Sequence, residues 1–571
     1  MSKKQCILSV GQDGVTQQWK ITNWCVGIAD LFTIWSFALL GIMTALSSAL
    51  EEITEVPGKS GAIKLTEITT YMGPPGCGKT QTVSNLIRNC IEDGIPPERI
   101  ACVSFTRKAA AESRERVCRD WGIEEDSLTN FQTLHSIAFR DGGFTTRDVI
   151  RPSDLAEIGD QTGLIFGKSK SNRAESDFDQ VGLAEGDQLL GVYYLARNKR
   201  MSLEETFRKH AHPDMSWSVL KRLVDAYVDF KRVRGKIDFT DMIEEFVARG
   251  IPLDIDALFV DEAQDLSTLQ WEMVNVLKAS PRTIVFVGDD DQAIMDFQGA
   301  DVQAFQNASS KKIVLHQSYR VPRLIWKEAQ TIVRRIEGRE PKVWNPTDQE
   351  GRTQWHQNIL DVPLHSGNWT IMARTNRLVS AYAKSLREEG FVYSRKGHPS
   401  IAPKTYDAMM DWETWPKGEP LSGPQIRNVY SDMNNAYEKG YGPRSKNLQA
   451  LTEDDLITMD EAMGTLGLLR DKELRWHEAL DKIDLETKTY VLNALKRGEN
   501  VKHPRINLST IHGMKGGECD NILVVPDLSY AAAGKLKRGG NVEHRVFYVA
   551  VTRAKKELHV MAPMTRQYYD L

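Results

Sequence analysis

Eight consecutive residues, Gly73-Pro74-Pro75-Gly76-Cys77-Gly78-Lys79-Thr80, constrain this 571-residue chain more than any other feature. They carry the spacing G-x-x-x-x-G-K-[ST] of a phosphate-binding loop. The glycines let successive backbone N–H groups turn inward around the β- and γ-phosphates. Lys79 adds a point charge there, and the Thr80 hydroxyl is suited to ligate Mg²⁺. Residues 68–72 predict a short strand before the loop, and 82–92 a helix after it whose N-terminus faces the phosphates. A chance match in a Gly-rich turn would need neither flank. The loop specifies a nucleoside triphosphate and leaves open what its hydrolysis drives.

The length predicts about three or four domains. With 41% hydrophobic and 26% charged residues the composition is that of a soluble globular protein. A formal net charge of -4 gives no global basic signal, so any nucleic-acid surface must be a local groove. None of the seven cysteines forms a C-x-x-C pair, which argues against zinc and iron–sulfur centres and for free thiols in a reducing compartment. Residues 31–50 form an uncharged run long enough to span a bilayer. Lys3, Lys4 and Lys20 precede it and Glu51, Glu52 and Glu55 follow, so a span would place everything downstream outside the cell, away from its triphosphate. A signal peptide fails for the same reason. A packed or peripheral helix is therefore the expectation, with no stable membrane insertion. Met43 offers an alternative start that would leave 1–42 outside the functional body.

Beyond the loop, apolar runs at 100–105, 258–260 and 283–287 read as strands, and 106–120 as a charged helix. The region to about 245 is polar, with a helical patch at 217–232 and a soft Ser/Asp/Gly-rich stretch at 167–187. The strand at 258–260 ends in Asp261-Glu262-Ala263-Gln264-Asp265, and that at 283–287 in Gly288-Asp289-Asp290-Asp291-Gln292. Carboxylates at the C-terminal ends of strands are what a parallel α/β sheet offers a ligand. Asp261 is placed to hold Mg²⁺ and Glu262 to orient an attacking water. A solvated acidic turn is the alternative for the pair alone. A second α/β block starts near Lys312 and holds a strand at 369–373. An irregular Pro/Gly/Trp-rich segment covers 396–425 and a helical, acidic one 451–499, before strands return at 521–525 and 558–561.

Several blocks, in order, resemble the UvrD/Rep/PcrA-type DNA helicases of superfamily 1. Cys102-Val103-Ser104-Phe105-Thr106-Arg107-Lys108 looks like their second block, and the DEAQD run like their Walker B. Val287-Gly288-Asp289-Asp290-Asp291-Gln292-Ala293-Ile294, with Phe297-Gln298-Gly299-Ala300, is similar to their third motif. Leu315-His316-Gln317-Ser318-Tyr319-Arg320 is similar to the fourth. Leu508-Ser509-Thr510-Ile511-His512-Gly513-Met514-Lys515-Gly516-Gly517-Glu518 and Phe547-Tyr548-Val549-Ala550-Val551-Thr552-Arg553-Ala554-Lys555 resemble the last two.

The resemblance implies an α/β fold of two RecA-like P-loop NTPase domains with parallel sheets, each carrying a mainly helical inserted subdomain. The expected layout is an N-terminal extension at 1–59, a first core domain at 60–115 and 246–311 with insertion 116–245, and a second at 312–395 and 503–571 with a shortened insertion 396–502. It implies that Arg320 and Arg553 reach the γ-phosphate from the second domain, and that Gln292 links that phosphate to the DNA groove. Lys79, Asp261 and Glu262 complete the catalytic set. Gln81 and Tyr319 would sit at the base and Glu518 at the ribose. Phe105, Thr106, Thr133 and His135 would follow the single strand in the first domain with Phe297, and Thr510 and His512 in the second. Aromatic faces suit that path because stacking accepts any base. ATP and Mg²⁺ are the implied cofactors. Single-stranded DNA and single/double-strand junctions are the implied partners, with RNA less favoured, in the cytoplasm. The expected activity is ATP-dependent 3′→5′ helicase action on duplex DNA in replication, repair or recombination. The rival expectations are a translocase that displaces proteins, and a nucleic-acid-dependent ATP switch. Four departures bear on these roles: no Gln lies in 51–70, Gln81 follows the loop where Arg is usual, Met295 replaces Tyr, and Gln298 replaces Arg.

Overall fold

The computed structural model describes residues 8–12, 15–19, 66–167, 184–434 and 436–571. Two compact units divide the chain at residue 65. In the first, β1 (Leu8–Gln12) and β2 (Val15–Trp19) form an antiparallel hairpin. The apolar run at 31–50 lies outside the described residues, as does most of the soft stretch at 167–187. Among the described residues, no helix is long and apolar enough to cross a membrane.

The second unit contains two sheets. The first is six-stranded and wholly parallel, in the order Phe131–Thr133 (β5), Ile100–Ser104 (β4), Ala257–Val260 (β6), Thr283–Gly288 (β7), Glu67–Met72 (β3) and Lys311–Val314 (β8). Side chains along a strand alternate between faces, and both faces are covered. Ala101, Val103, Leu258, Val260, Ile284 and Phe286 pack on one side. Ile100, Cys102, Ala257, Phe259, Val285 and Val287 pack on the other. That is why these strands read as unbroken apolar runs.

The second sheet orders His398–Pro399 (β12), Tyr393–Arg395 (β11), Ile506–Thr510 (β13), Trp369–Ala373 (β10), Cys519–Val524 (β14), Ala554–Met561 (β15) and Arg352–His356 (β9). It is parallel except for the β11–β12 pair. The fold is thus two RecA-like α/β domains. Inserted helices build separate cores: Leu155, Ile158, Leu189, Leu220, Leu223 and Tyr227 in one, and Trp412, Trp415, Tyr430, Trp476 and Tyr490 in the other.

Three details differ from the sequence reading. The strand at Lys311–Val314, expected to open the second block, pairs with β3 at the edge of the first sheet. Residues 131–141, expected in the first insertion, supply edge strand β5 and a helix whose Leu134, Ile137 and Ala138 join the first core. A strand of three residues is too short to leave a periodic signal. Within the segment read as irregular, Pro403–Thr414 is a helix, with Pro403 in its first turn where the missing N–H costs nothing. Its Trp412 is fully buried and donates its indole N–H to Leu474 O at 2.8 Å.

Buried charge ties the two sheets together. Asp289, Asp290 and Asp291 follow β7 with their carboxylates close enough to surround a cation. The cation among them is Lys342, whose Nζ lies 3.1 Å from Asp289 and 2.9 Å from Asp291 and also pairs with Asp290. Arg339 holds Asp291 through both carboxylate oxygens, at 2.7 and 2.6 Å. Arg545, from the helix Val542–Val551, donates to Asp290 O at 2.9 Å. Burial works against the Lys342 charge, but the three aspartates outweigh it and raise its pKa. Lys342→Met keeps the length of the side chain and removes the cation shared by Asp289 and Asp290, while Arg339 still holds Asp291. It is expected to cost about 3–5 kcal/mol, as for a broken buried ion pair. Urea unfolding of the full chain checks this, with partial recovery expected in Lys342→Met/Asp290→Asn.

The far edge of the second sheet holds a buried histidine pair. His559 on β15 donates Nε2–H to Glu557 at 2.9 Å, which leaves Nδ1 to accept from His356 Nε2 at 2.7 Å. The rings stack 5.0 Å apart. Burial lowers both pKa values below the ordinary 6.5. The folded state therefore binds fewer protons than the unfolded one just below that pH. The contribution is complete above 6.5 and is lost as pH falls from there toward the folded values. His559→Gln should flatten the dependence of the urea midpoint on pH below the ordinary imidazole value of 6.5. An unchanged slope would place the acid sensitivity elsewhere.

Candidate functional site

The sheet topology brings the motifs to one place. In a parallel sheet all C-terminal strand ends point the same way, so the segments after β3, β4, β6 and β7 open on one edge. The phosphate loop leaves β3 and runs into the helix Lys79–Glu92, capped by Gly78 in the left-handed region (φ 78). Gly76 (φ 69) is left-handed too, and a Cβ there would lie 2.3 Å from the Cβ of Arg320. Glycine is needed at 76 for its backbone angle and for this close approach.

Lys79 is half-buried and donates to Gly73 O at 3.0 Å. Burial disfavours its charge, yet Glu262, Cys77, Asp289 and Asp261 together raise its pKa. Buried Asp261 and half-buried Glu262 follow β6 as a tightly coupled pair. Burial and Glu262 push Asp261 up. Glu262 is held down against burial by Lys79 first, then Lys515. A carboxylate so raised by burial and a like charge is a fitting Mg²⁺ ligand, because a cation would relieve both, and Thr80 stands at the first turn of the loop's helix. Glu262 itself sits at φ 51, a strained angle for a side chain with a Cβ.

The segment that follows β8, together with segments of the second sheet, closes over this edge. Ser318 donates its hydroxyl to Pro75 O at 2.8 Å, and Tyr319 N–H donates to Gly76 O at 2.8 Å. The Tyr319 ring is 76% exposed beside the loop, free to meet a base. Arg320 Nε pairs with Glu518 at 2.7 Å, and Lys555 reaches the same carboxylate at 3.2 Å. Arg553 is buried and donates Nη2 to Gln292 Oε1 at 2.7 Å and Nε to Val549 O at 3.1 Å. Burial, then Arg320, push its pKa down to about 9. Two guanidiniums this close, one deeply desolvated, make a receptor for an anion. Gln81, at the loop's exposed end, bonds Asn85 and accepts from Arg116.

Residues that sequence reasoning left without a role complete the network. Gln264 is fully buried. It donates to Glu262 and to Asp265 at 3.1 Å and accepts the Asp289 N–H at 2.9 Å, joining the segments after β6 and β7. Lys515 pairs with Asp265 and donates to Gln292 O at 2.8 Å. Burial raises Asp265 to about 6 despite Lys515. Both lay within quoted motifs, but nothing in the spacing showed that they meet.

The residues assigned to a single strand stand at or just after the C-terminal ends of β4, β5 and β7 in the first sheet and of β13 in the second. Phe105 is partly buried against the first core. Thr106 and Thr133 cap helices, accepting from Ala109 N and Ser136 N at 3.2 Å. Thr510 accepts the Gly513 N–H at 3.1 Å. These hydroxyls shape their turns. His135 packs edge-on against Phe239, and burial, then Arg107, lower its pKa to about 4, so it is neutral at pH 7. Phe297 is half-buried and meets His512, of the second domain, edge-on at 5.5 Å. Arg107, Arg114, Phe131, Thr133 and Ser136 line a pocket of about 280 Å³ beside this path.

A phosphate loop between two RecA-like sheets, with Arg320 of the segment after β8 against it and Arg553 just before β15 of the second sheet, defines a P-loop ATPase of the two-domain motor class. Residues 62–312 match the UvrD/REP helicase N-terminal domain, and 426–564 the UvrD-like helicase C-terminal domain. The chain belongs to the UvrD/Rep/PcrA-type DNA helicases and is a DNA helicase and ATPase by class. It is similar to YjcD of Bacillus subtilis (strain 168), with 23% identity over 88% of this chain and 79% of that protein. It is also similar to the ATP-dependent DNA helicase PcrA of the same organism, at 26% over 61% of this chain, and to the ATP-dependent DNA helicase Rep of Escherichia coli (strain K12), at 29% over 48%. The matches span 48% of PcrA and 43% of Rep.

Arg553→Ala is expected to keep nucleotide affinity, which Lys79 and the loop amides supply, and to lose roughly 10³-fold or more in turnover. Nucleotide titration beside steady-state hydrolysis checks it. Lost affinity with full turnover of bound nucleotide would remove Arg553 from the transferring phosphoryl group.

Proposed function

We propose that this chain couples ATP hydrolysis to 3′→5′ movement along single-stranded DNA and separates duplexes ahead of it. The observation that supports this best is the position of Gln292. Its amide oxygen accepts from Arg553, its backbone carbonyl accepts from Lys515, and Phe297 follows five residues on against His512. One short segment thus touches the cation that would meet the γ-phosphate and the ring that would meet a base.

In this reading Lys79 and the loop amides bind the phosphates, and Thr80 and Asp261 hold Mg²⁺. The ion, when bound, neutralises charge on the phosphate oxygens. Glu262 accepts a hydrogen bond from the attacking water and aligns it. Arg320 and Arg553 turn from Glu518 and Gln292 to the equatorial oxygens, where negative charge spreads in the transition state. Tyr319 stacks on the base, Gln81 lies at its edge, and Glu518, released from Arg320, is free for the ribose. Hydrolysis frees the arginines to return, and the cleft reopens. The direction of travel follows the branch of the family that the motifs resemble. A single strand would run over Phe105, His135 and Phe297 in the first domain and His512 in the second, with Thr106, Thr133 and Thr510 presenting their turns to its backbone.

Hydrolysis is expected to rise when single-stranded DNA is added and to show a steep inverse dependence of DNA affinity on salt. Duplexes with a 3′ tail should be unwound and 5′-tailed ones left paired. Phe297→Ala should weaken unwinding about tenfold, within the range for one lost stacking face, with less effect on DNA-free hydrolysis. Preference for a 5′ tail would reverse the assigned direction, and full unwinding by Phe297→Ala would return that ring to a packing role.

A further inference from the structure

The loop that carries Phe297 is gripped from outside the two motor sheets. The helix Glu185–Asn198, in the first insertion, ends directly against it. Asn198 donates Nδ2–H to Gln298 O at 3.0 Å, and Lys199 Nζ pairs with Asp296 at 2.7 Å. These contacts bracket Phe297 on both sides in sequence. Gly299 adopts φ 98, and a Cβ there would lie 3.0 Å from Asn198 Cβ and 3.3 Å from Lys199 Cγ, so the two backbones meet as closely as glycine allows.

The helix end is itself held. Arg200 sits at φ 54, a strained angle for a residue with a Cβ. It is kept there by Glu272, at 2.6–3.0 Å, on the helix Thr268–Leu277 of the first core, and by Glu244 at 3.1 Å. Arg197, one turn back, pairs with Asp238, Asp241 and Glu244 at 2.9, 2.6 and 2.5 Å. The insertion therefore reaches the loop as a strut anchored to the same domain.

We propose that Asn198 and Lys199 are positioning residues that hold Phe297 with the first domain and its insertion while His512 moves with the second. The inference rests on the motor reading given above. The strut makes relative domain motion appear as sliding of one ring past the other. Without it the 296–298 turn can follow His512, and hydrolysis proceeds with less movement along the strand.

The test uses the full chain with Lys199→Met and Asn198→Asp combined, and Lys199→Arg as the conservative variant. Four quantities are read: hydrolysis without DNA, the concentration of single-stranded DNA that half-saturates stimulation, base pairs separated per ATP, and amide hydrogen exchange over residues 296–299. In the double variant, hydrolysis without DNA is expected to hold, exchange at 296–299 to quicken, and base pairs per ATP to fall roughly threefold to tenfold, the size of a coupling of about 1 kcal/mol. Lys199→Arg should retain wild-type coupling. Wild-type base pairs per ATP in the double variant would overturn the proposal even where exchange quickens. So would an equal loss in Lys199→Arg, or a loss matched by a fall in DNA-free hydrolysis. A wild-type chain that separates no 3′-tailed duplex would instead remove the motor reading beneath it.

Discussion

The buried contact between Arg553 and Gln292 is the constraint on which the rest of the architecture turns. A guanidinium stripped of water and set near another arginine is costly unless an acceptor is supplied. Here the acceptors are one amide oxygen and two backbone carbonyls, all neutral, so the charge is hydrogen-bonded but not neutralised. Such a group binds an arriving anion strongly. The acidic side of the cleft answers it: Glu262 draws its low pKa from Lys79, Lys515 and, further down the order, Arg553. Cations from both sheets therefore converge on the position of a phosphoryl group, and the domains carrying them are the ones its loss would release.

Buried ion pairs add little net stability but penalise wrong arrangements heavily. Lys342 among three aspartates and Lys515 on Asp265 both lie where the domains meet. An apolar interface of similar area would hold the domains as firmly and allow gradual slippage. Charged groups with few alternative partners favour a small number of registers. That suits a cleft whose useful states are closed and open. Glu518 has the same logic on a smaller scale, half-exposed and paired with Arg320 and Lys555, one of which it can release while keeping the other.

Much of this was legible in the sequence because the chemistry is local. The loop after β3 and the Asp-Glu after β6 each occupy a few adjacent residues, and parallel strands buried on both faces announce themselves as apolar runs. The strands at 369–373 and 283–288 and the helix beginning at Trp217 fall where the pattern put them. What escaped was set by distant partners. β8 carries two lysines and only two apolar residues, so its place in the first sheet depends on β3. Lys342 looks like a surface lysine after a proline until its three carboxylates are seen. Thr106, Thr133 and Thr510 were legible as motif residues, yet their hydroxyls are occupied in turn geometry, which spacing alone cannot distinguish from ligand contact.

The same limits explain why coupling is harder to read than catalysis. A phosphate site needs particular groups within hydrogen-bond reach, and sequence motifs preserve that set as a string. Coupling needs one element to stay fixed while another moves, and fixation is distributed. The turn at 295–300 closes on itself through Ala300 N to Met295 O and is tied to the segment after β6 through Asp301 N to Leu266 O. It meets the insertion through Asp296 and Gln298 and the second domain through Phe297. Met295 and Gln298, read from sequence only as departures in a DNA path, belong to a turn whose backbone is what the neighbours grip: Gln298 is held by its carbonyl, which any residue would supply. The charge at Asp296 is the part of that grip that depends on side-chain identity. Burial opposes it, and Lys199, then Lys535 of the second domain, sustain it. A single carboxylate therefore feels cations of both domains but is bonded to only one of them.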